Sequence, residues 1–325
     1  MAAPELRHLR YLLAVAEHGS FTRAAEELRI SQPTLSQQVK QLERTVGAQL
    51  LDRTGRTVRL TDAGETYVPY ARRALRDLAA AERAVLDVAD LSRGHLRLAL
   101  TPTFTAYLVG PLVAELHSRH PGITLEVREM AQDRIESGLL ADELDLGIAF
   151  HGPHLPSIAA TPLFTETLGL VAGAHRPGAS RSGARGSGSD HAQPLSVRDL
   201  AGHQLALLSG DFATRGHVDA YFGAHRVQPR IAVEANSVQA LTEIVRRTPL
   251  VTVLPDAVTD DHPHLVPVPL RPALPHRVVT LLRRESAYRS AAARAFTRLT
   301  RDLVAGRGYA PAPSGPEGAG APAAG

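Results

Sequence analysis

The sequence predicts an α+β multidomain protein: a small helical head, one long connecting helix and a larger α/β body. Three observations support this. Short apolar stripes at helical spacing fill residues 6–45, an uninterrupted helical pattern starts near Thr61, and apolar runs alternate with helical stretches after Arg93-Gly94. A chain of 325 residues with a hydrophobic fraction of 44% can build more than one core.

In the head, Leu6, Leu9, Leu12, Leu13 and Ala16 form the first stripe, and His18-Gly19 ends it. Ser20 caps a second helix carrying Phe21, Ala24, Ala25 and Leu28 on one face. After a tight RIS turn, Ser31 caps a third helix, SQPTLSQQVKQLE, with Pro33 in the tolerated first turn. LLDRTGRTVRLT reads as a small β-hairpin turning at Thr54-Gly55. Asp62 and Glu65 resemble a capping box at the start of the long helix, and Pro69 should kink it. Ala71, Ala74, Leu75, Leu78, Ala81, Val85 and Val88 make a narrow seam. Such a seam meets another helix, so we read this segment as a linker and dimerisation helix.

In the body, LRLAL, ITLEV and LDLGIAF alternate with helical stretches such as TAYLVGPLVAELHSRH, which predicts a largely parallel sheet with crossover helices. LFTETLGLVAG, HQLALL, RIAVEA and LVTVL form a second set. HRVVTLLRR and a helix from about Ala287 to Val304 close the fold. Residues 176–194, RPGASRSGARGSGSDHAQP, are expected to be a mobile loop, and APAPSGPEGAGAPAAG a disordered tail.

The third helix is two-sided. Leu35, Val39 and Leu42 line one side, while Pro33, Ser36, Gln37 and Lys40 line the other, with Arg44 just beyond. Together with the second helix it matches a helix-turn-helix, whose second helix enters the major groove. Gln can offer a donor and an acceptor together to adenine, Ser and Lys meet base edges or phosphates, and Pro33 suits a thymine methyl. Between Arg29 and Leu60 stand six basic residues (Arg29, Lys40, Arg44, Arg53, Arg56, Arg59) against Glu43 and Asp52, so positive charge gathers where DNA would lie. The plainer alternative is a solvated helix in a small helical domain.

The chain has no cysteine, which excludes disulfides, thiolate metal sites and cysteine nucleophiles. No signal peptide and no membrane-spanning run is read in it, so a cytoplasmic location without membrane partners is expected. The formal net charge of +3 permits a nucleic-acid partner, and arginine supplies nearly all the positive charge, Lys40 being the sole lysine.

The segment VAEHGSFTRAAEELRISQPTLSQQVKQLERTVGAQLLDRTGRTVRLTDAGE resembles the N-terminal domain of LysR-type transcriptional regulators, through the SFTRAA start, the SQPTLS recognition helix and LTDAGE. The resemblance implies a winged helix-turn-helix over 1–60, a linker helix over 61–92 and an effector-binding α/β domain over 93–305. That domain resembles periplasmic binding proteins, with lobe I at about 93–163 and 266–305 and lobe II at about 164–265; residues 306–325 form the tail. It implies DNA contacts at Ser20, Thr22, Gln32, Pro33, Thr34, Ser36, Gln37, Lys40, Arg53 and Arg56. It further implies a homodimer or homotetramer on double-stranded promoter DNA, activating through RNA polymerase in response to a small molecule. DVADLSRGHLRLALTPTFTAYLVGPL, DELDLGIAF, LSGDFATR and EANSV resemble most the cyanate-responsive members of the family, which points to cyanate or a similar small anion. A different small organic effector for an unrelated metabolic operon is the alternative.

In an open α/β sheet, ligands gather beyond the carboxyl ends of strands. Three such junctions carry small polar residues: Thr101, Thr103 and Phe104 after LRLAL; Ser209, Phe212 and Thr214 after QLALL; Asn236-Ser237 after IAVEA. Their hydroxyls and helix-terminal N–H groups suit a small anion. The resemblance matches Thr101 and Thr103 to the effector cleft and Thr214 to the loop opposite. Helix capping is the competing role for each Ser and Thr. Asp211 is expected to face solvent or pair with Arg215.

No GxSxG, GxxxxGK[ST] or GxGxxG string occurs, so an enzyme is not expected, nor is any cofactor. The histidine pairs His117/His120, His151/His154 and His262/His264 read as exposed loop residues rather than a metal site. Glu143 and Asp145 read as a solvated strand edge. A solute-binding protein and an architectural DNA binder without sequence choice are the rival classes.

Overall fold

A computed structural model describes residues 4–55, 57–89, 94–174 and 194–312. They fall into two compact units, Met1–Ala89 and Asp90–Gly325.

The first unit holds α1 (Leu6–His18), α2 (Phe21–Glu27), α3 (Gln32–Val46), the antiparallel pair β1 (Leu51–Asp52) and β2 (Arg59–Leu60), and α4 (Asp62–Ala89). Each short helix is bounded as its sequence dictates. Gly19, in the left-handed region at φ 58°, ends α1, and its N–H donates to Val15 O. Ser20 Oγ accepts from Arg23 N, and Ser31 Oγ from Thr34 N. The α2–α3 turn is closed by Ile30 N donating to Ala25 O, with Arg29 left-handed at φ 55°. Leu12, Leu35, Val39 and Leu42 are fully buried in one core. Each leucine there contributes roughly 1.5–3 kcal/mol from burial.

The long helix starts differently from expectation. Asp62 and Glu65 do not form the cap; Thr61 does, its Oγ1 accepting from Gly64 N at 3.0 Å. The same hydroxyl donates to Gln49 O at 2.6 Å, so the segment leading into β1 fixes the capping residue one position early. Gly64 lies so close to the residue before β1 that a Cβ would sit 2.1 Å from Leu50 O. Pro69 lies inside α4 without ending it. On the seam, Ala71 is buried and Leu75 packs on the core, whereas Leu78 and Val85 stand exposed, as does Tyr70. The side chain of Val88 lies outside the described residues.

The second unit begins with β3 (Gly94–Leu100), a 3-10 turn (Pro102–Ala106), α5 (Val109–Arg119), β4 (Ile123–Glu129), α6 (Gln132–Leu140) and β5 (Leu146–Phe150). Then come β6 (Ile158–Glu166), β7 (Leu168–Gly173), β8 (Leu195–Ser196), a second 3-10 turn (Val197–Gly202), β9 (Gln204–Leu208) and α7 (Ala213–Ala224). The remainder is β10 (Arg230–Ala235), α8 (Val238–Arg247), β11 (Val251–Pro255), α9 (Asp256–Asp261) and β12 (Leu265–Val268). It ends with β13 (Leu270–Arg271), β14 (Arg277–Arg284), α10 (Ala291–Gly306) and β15 (Ala310–Pro311).

Two large sheets result, in the orders β15-β6-β14-β5-β3-β4 and β10-β9-β11-β7-β12, and β8 and β13 form a separate parallel pair. The expected largely parallel sheet is instead mixed in both. β3 is parallel to β4 and β5, and β9 to β10 and β11, but β14 opposes β5 and β6 while β7 opposes β11 and β12. The chain leaves the first sheet at Thr167 and returns through β14, and the returning strand runs against its neighbours. The two lobes therefore divide at Thr167 and between β13 and β14, a few residues beyond the expected limits. An apolar cluster including Phe104, Leu108, Val238 and Leu241 spans both lobes.

Other boundaries shift too. The helix expected over 105–120 begins at Val109, its first residues forming the 3-10 turn, and the last helix starts at Ala291, where Ser290 Oγ accepts from Ala293 N. The tail expected to be disordered from 306 packs back as far as Pro311. Tyr309 stacks on Phe164 with ring centroids 4.6 Å apart, and Ala310 and Pro311 pair with Thr165 and Phe164. Residues 313–325, and 176–193 of the expected loop, lie outside the described residues.

Candidate functional site

Two regions carry chemistry that the folds around them leave unused. The first is the outer face of α3. With Leu35, Val39 and Leu42 turned into the core, Gln32, Pro33, Thr34, Gln37 and Lys40 stand exposed and Ser36 half-buried. Thr34 Oγ1 lies 2.6 Å from Ser31 Oγ, which fixes the entrance to the helix. Thr22 is exposed at the start of α2, and Ser20 is half-buried in its capping role. Arg56 lies outside the described residues.

Two interactions that the sequence did not reveal hold α3 in place. His8 is buried, and its Nε2 lies 2.8 Å from Gln38 Oε1, which links α1 to the side of α3. Glu43 reaches from α3 to the hairpin: Oε1 accepts from Leu50 N and Leu51 N at 3.0 and 3.1 Å, and Oε2 accepts from Arg53 Nη2 at 2.8 Å. Arg53 also lies over the Phe21 ring, 4.9 Å from its centroid. Arg53, expected to meet DNA, is half-buried, and its guanidinium also fastens the hairpin to α2 and α3. Arg59, also on the hairpin, stays exposed.

The second region lies where the two lobes of the larger unit meet. Thr103, in the 3-10 turn after β3, and Thr214, in the first turn of α7, are both buried, with their hydroxyl oxygens 3.2 Å apart across the lobes. Thr101 Oγ1 and Ser209 Oγ are buried beside the same junctions without a hydrogen-bond partner. Capping does not account for them. Thr101 precedes its turn yet makes no side-chain cap, and Phe212, not a hydroxyl residue, precedes α7. Capping does account for Ser237, whose Oγ accepts from Ala240 N. Asn236 is exposed and follows Ala235, whose carbonyl accepts from Ser209 N at 2.9 Å. Phe104 is wholly buried against Phe150, and Phe212 is buried as well. Asp211 faces solvent; Arg215 does not pair with it but with Asp219 and Glu234.

A third group went unread in the sequence because its members are so far apart in the chain. Tyr107 donates to Glu166 Oε1, and Arg277 Nε donates to Glu166 Oε2. The side chains of Glu166 and Arg277 are each 3% exposed, and Arg277 lies flat over Phe150, 3.7 Å from the ring centroid. Burial pushes the Tyr107 phenol well above its ordinary range, and the neighbouring Glu166 carboxylate adds to this, so the phenol keeps its proton and remains the donor. Asp145 is another correction: far from a solvated edge, it accepts from Arg97 N, Nε and Nη2. His154 Nδ1 lies 2.8 Å from buried Glu136, and among the described residues no group of three or more His, Cys, Asp or Glu is arranged to hold a metal. Among them, too, no helix is long and apolar enough to cross a membrane.

A helix-turn-helix with a hairpin, a long helix and a two-lobed α/β unit with hydroxyls at the lobe junction define a DNA-binding protein with a ligand-binding module. Residues 6–65 match the model of the bacterial regulatory helix-turn-helix proteins of the lysR family, and residues 89–305 match the LysR substrate binding domain. The chain belongs to the LysR family of DNA-binding transcriptional regulators. It is 32% identical to the nitrogen assimilation regulatory protein nac of Klebsiella aerogenes over 253 residues, 78% of each chain. Full-length OxyR C199D from Pseudomonas aeruginosa superposes with a TM-score of 0.66 at 25% identity, covering 94% of this chain and 95% of that one. Full-length CbnR complexed with its target DNA shares the fold at a TM-score of 0.59 and 24% identity, covering 92% and 99%.

Proposed function

We propose that this regulator recognises a partly palindromic operator by inserting α3 of each of two copies into successive major grooves. The observation that carries the reading is the exposed amide and hydroxyl face of α3, opposite three fully buried aliphatic residues. Gln32, Gln37 and Ser36 meet base edges, Pro33 a thymine methyl, and Lys40, Thr22 and Thr34 the phosphates. The exposed Tyr70, Leu78 and Val85 of α4 pair with a second copy and set the spacing of the two α3 helices. By family analogy the dimers assemble in pairs in the cytoplasm and act on RNA polymerase.

The buried hydroxyls of Thr101, Thr103, Ser209 and Thr214 receive the effector between the lobes. Two of them lack any partner, which supports a small ligand able to accept or donate there. Cyanate fits that size and chemistry, but the relatives described above are named for nitrogen assimilation and OxyR, so cyanate rests on the sequence resemblance alone. The effector acts by favouring one arrangement of the lobes over the other. No catalytic role is assigned to either region.

Competition between operator and random duplex at fixed salt tests the DNA reading. A specificity ratio well above one supports it, and a ratio near one makes the protein an architectural binder instead. Isothermal titration with cyanate tests the finer reading: heat that is reduced in Thr103→Ala supports it, and no heat with the intact protein removes cyanate.

A further inference from the structure

The two strands that join the lobes meet at a buried guanidinium whose outer edge is unused. Glu166 ends β6, just before the chain crosses into the second lobe, and Arg277 begins β14, just after it returns. Glu166 is fully committed, one oxygen accepting from Tyr107 and the other from Arg277 Nε. Both Arg277 Nη atoms are buried and make no hydrogen bond. The guanidinium face is covered by Phe150, whose ring touches Phe104, and Tyr107 packs edge-on against Phe104.

A guanidinium buried to this degree and bonded through Nε alone is an anomaly, because buried donors in folded proteins almost always find an acceptor. The Nη pair forms a planar fork that matches an acceptor with two oxygens, or a linear ion held end-on. Glu166 already offsets part of the charge, which favours a single negative charge over two. The aromatic walls make the surroundings poorly polarisable, so an ion there is held by the fork and by little else.

We propose that the Arg277 fork is a second ligand site, separate from the hydroxyls between the lobes, and that it takes a compact monoanion of the formate, nitrate or cyanate type. The site lies on both crossing strands, so its occupancy changes how Glu166 and Arg277 hold them together. Anion binding there biases the lobe arrangement independently of an effector at Thr103 and Thr214.

The test measures thermal unfolding of the full chain in sodium formate, nitrate and cyanate against sulfate at matched ionic strength, sulfate being a bulky dianion. A saturable rise in the unfolding midpoint with a monoanion is expected, as for any ligand that binds only the folded state. Thr103→Ala should keep that rise, which separates this site from the proposed effector cleft. The double variant Glu166→Leu with Arg277→Met removes both charges together, so neither is left buried alone. In it, the apparent anion affinity should fall about tenfold or more, the weight of a charge-assisted pair. No anion-specific shift in the wild-type chain overturns the proposal and leaves water as the partner of the fork. Equal shifts in the wild-type chain and the double variant overturn it too. If the double variant does not fold, Arg277→Lys replaces it: a point charge without the fork should bind the planar anions more weakly, and unchanged affinity would refute the fork.

Discussion

The α3 face and the lobe junction both present small polar side chains, yet they treat water in opposite ways. On α3, Gln32, Gln37 and Lys40 stand in solvent, and nothing in the fold depends on them. At the junction, Thr101, Thr103, Ser209 and Thr214 are withdrawn from solvent, and two of their hydroxyls have no partner. A surface meant for a large polar duplex can leave its groups hydrated until contact. A site for a small ligand must withhold its groups from water beforehand, since a few contacts supply all the affinity. The first therefore separates stability from recognition, and the second entangles them.

Four substitutions or conditions would break or sharpen that contrast. Leu35→Ala removes a fully buried side chain from beneath the α3 face and should destabilise the first unit by about 2–5 kcal/mol. Calorimetry should show its unfolding transition moved while that of the second unit is kept; a shift of both would mean the units do not unfold separately. Thr103→Ala leaves the buried Thr214 hydroxyl unpaired and should cost about 1–3 kcal/mol in urea unfolding. Thr103→Val with Thr214→Val should recover most of that loss, and additive losses would show that the pair is not coupled.

Gln37→Ala tests the opposite behaviour. Operator affinity should weaken by about 1–3 kcal/mol in gel-shift titrations while the unfolding midpoint stays in place. Equal losses on random DNA would reduce Gln37 to a backbone contact. The smallest effect concerns alkaline pH. Burial raises the Tyr221 phenol to about 12, and its hydroxyl donates to Pro272 O at 2.6 Å. Above about pH 10 the unfolded chain releases this proton while the folded chain keeps it, so stability present below pH 10 is lost progressively up to about pH 12. Tyr221→Phe should flatten that part of the pH–stability curve, and an unchanged slope would assign it to other groups.

What the sequence made legible follows from how local each signal is. The caps at Ser20 and Ser31, the stop at Gly19 and the two-sided character of α3 rest on neighbours within one turn, and all appear in the structure. That Thr103 and Thr214 stand just past strand ends was legible from the succession of strands and helices along the chain, which needs no knowledge of pairing. Strand order was not. Nothing near Val279 announces that it lies beside both Phe150 and Phe164. The Tyr107, Glu166 and Arg277 group was hidden for the same reason, 59 and 111 positions separating its bonded partners. The Glu43–Arg53 pair was unread as well, since its members stand ten residues apart on different elements.

The contact between Gly64 and Leu50 O has a mechanical meaning. With no room for even a methyl group, the root of the long helix and the residue leading into the hairpin cannot slide past each other. Thr61 adds a second rivet by bonding to Gln49 O and Gly64 N at once. A twist of that rod would therefore be felt at the hairpin, and through Glu43 at α3.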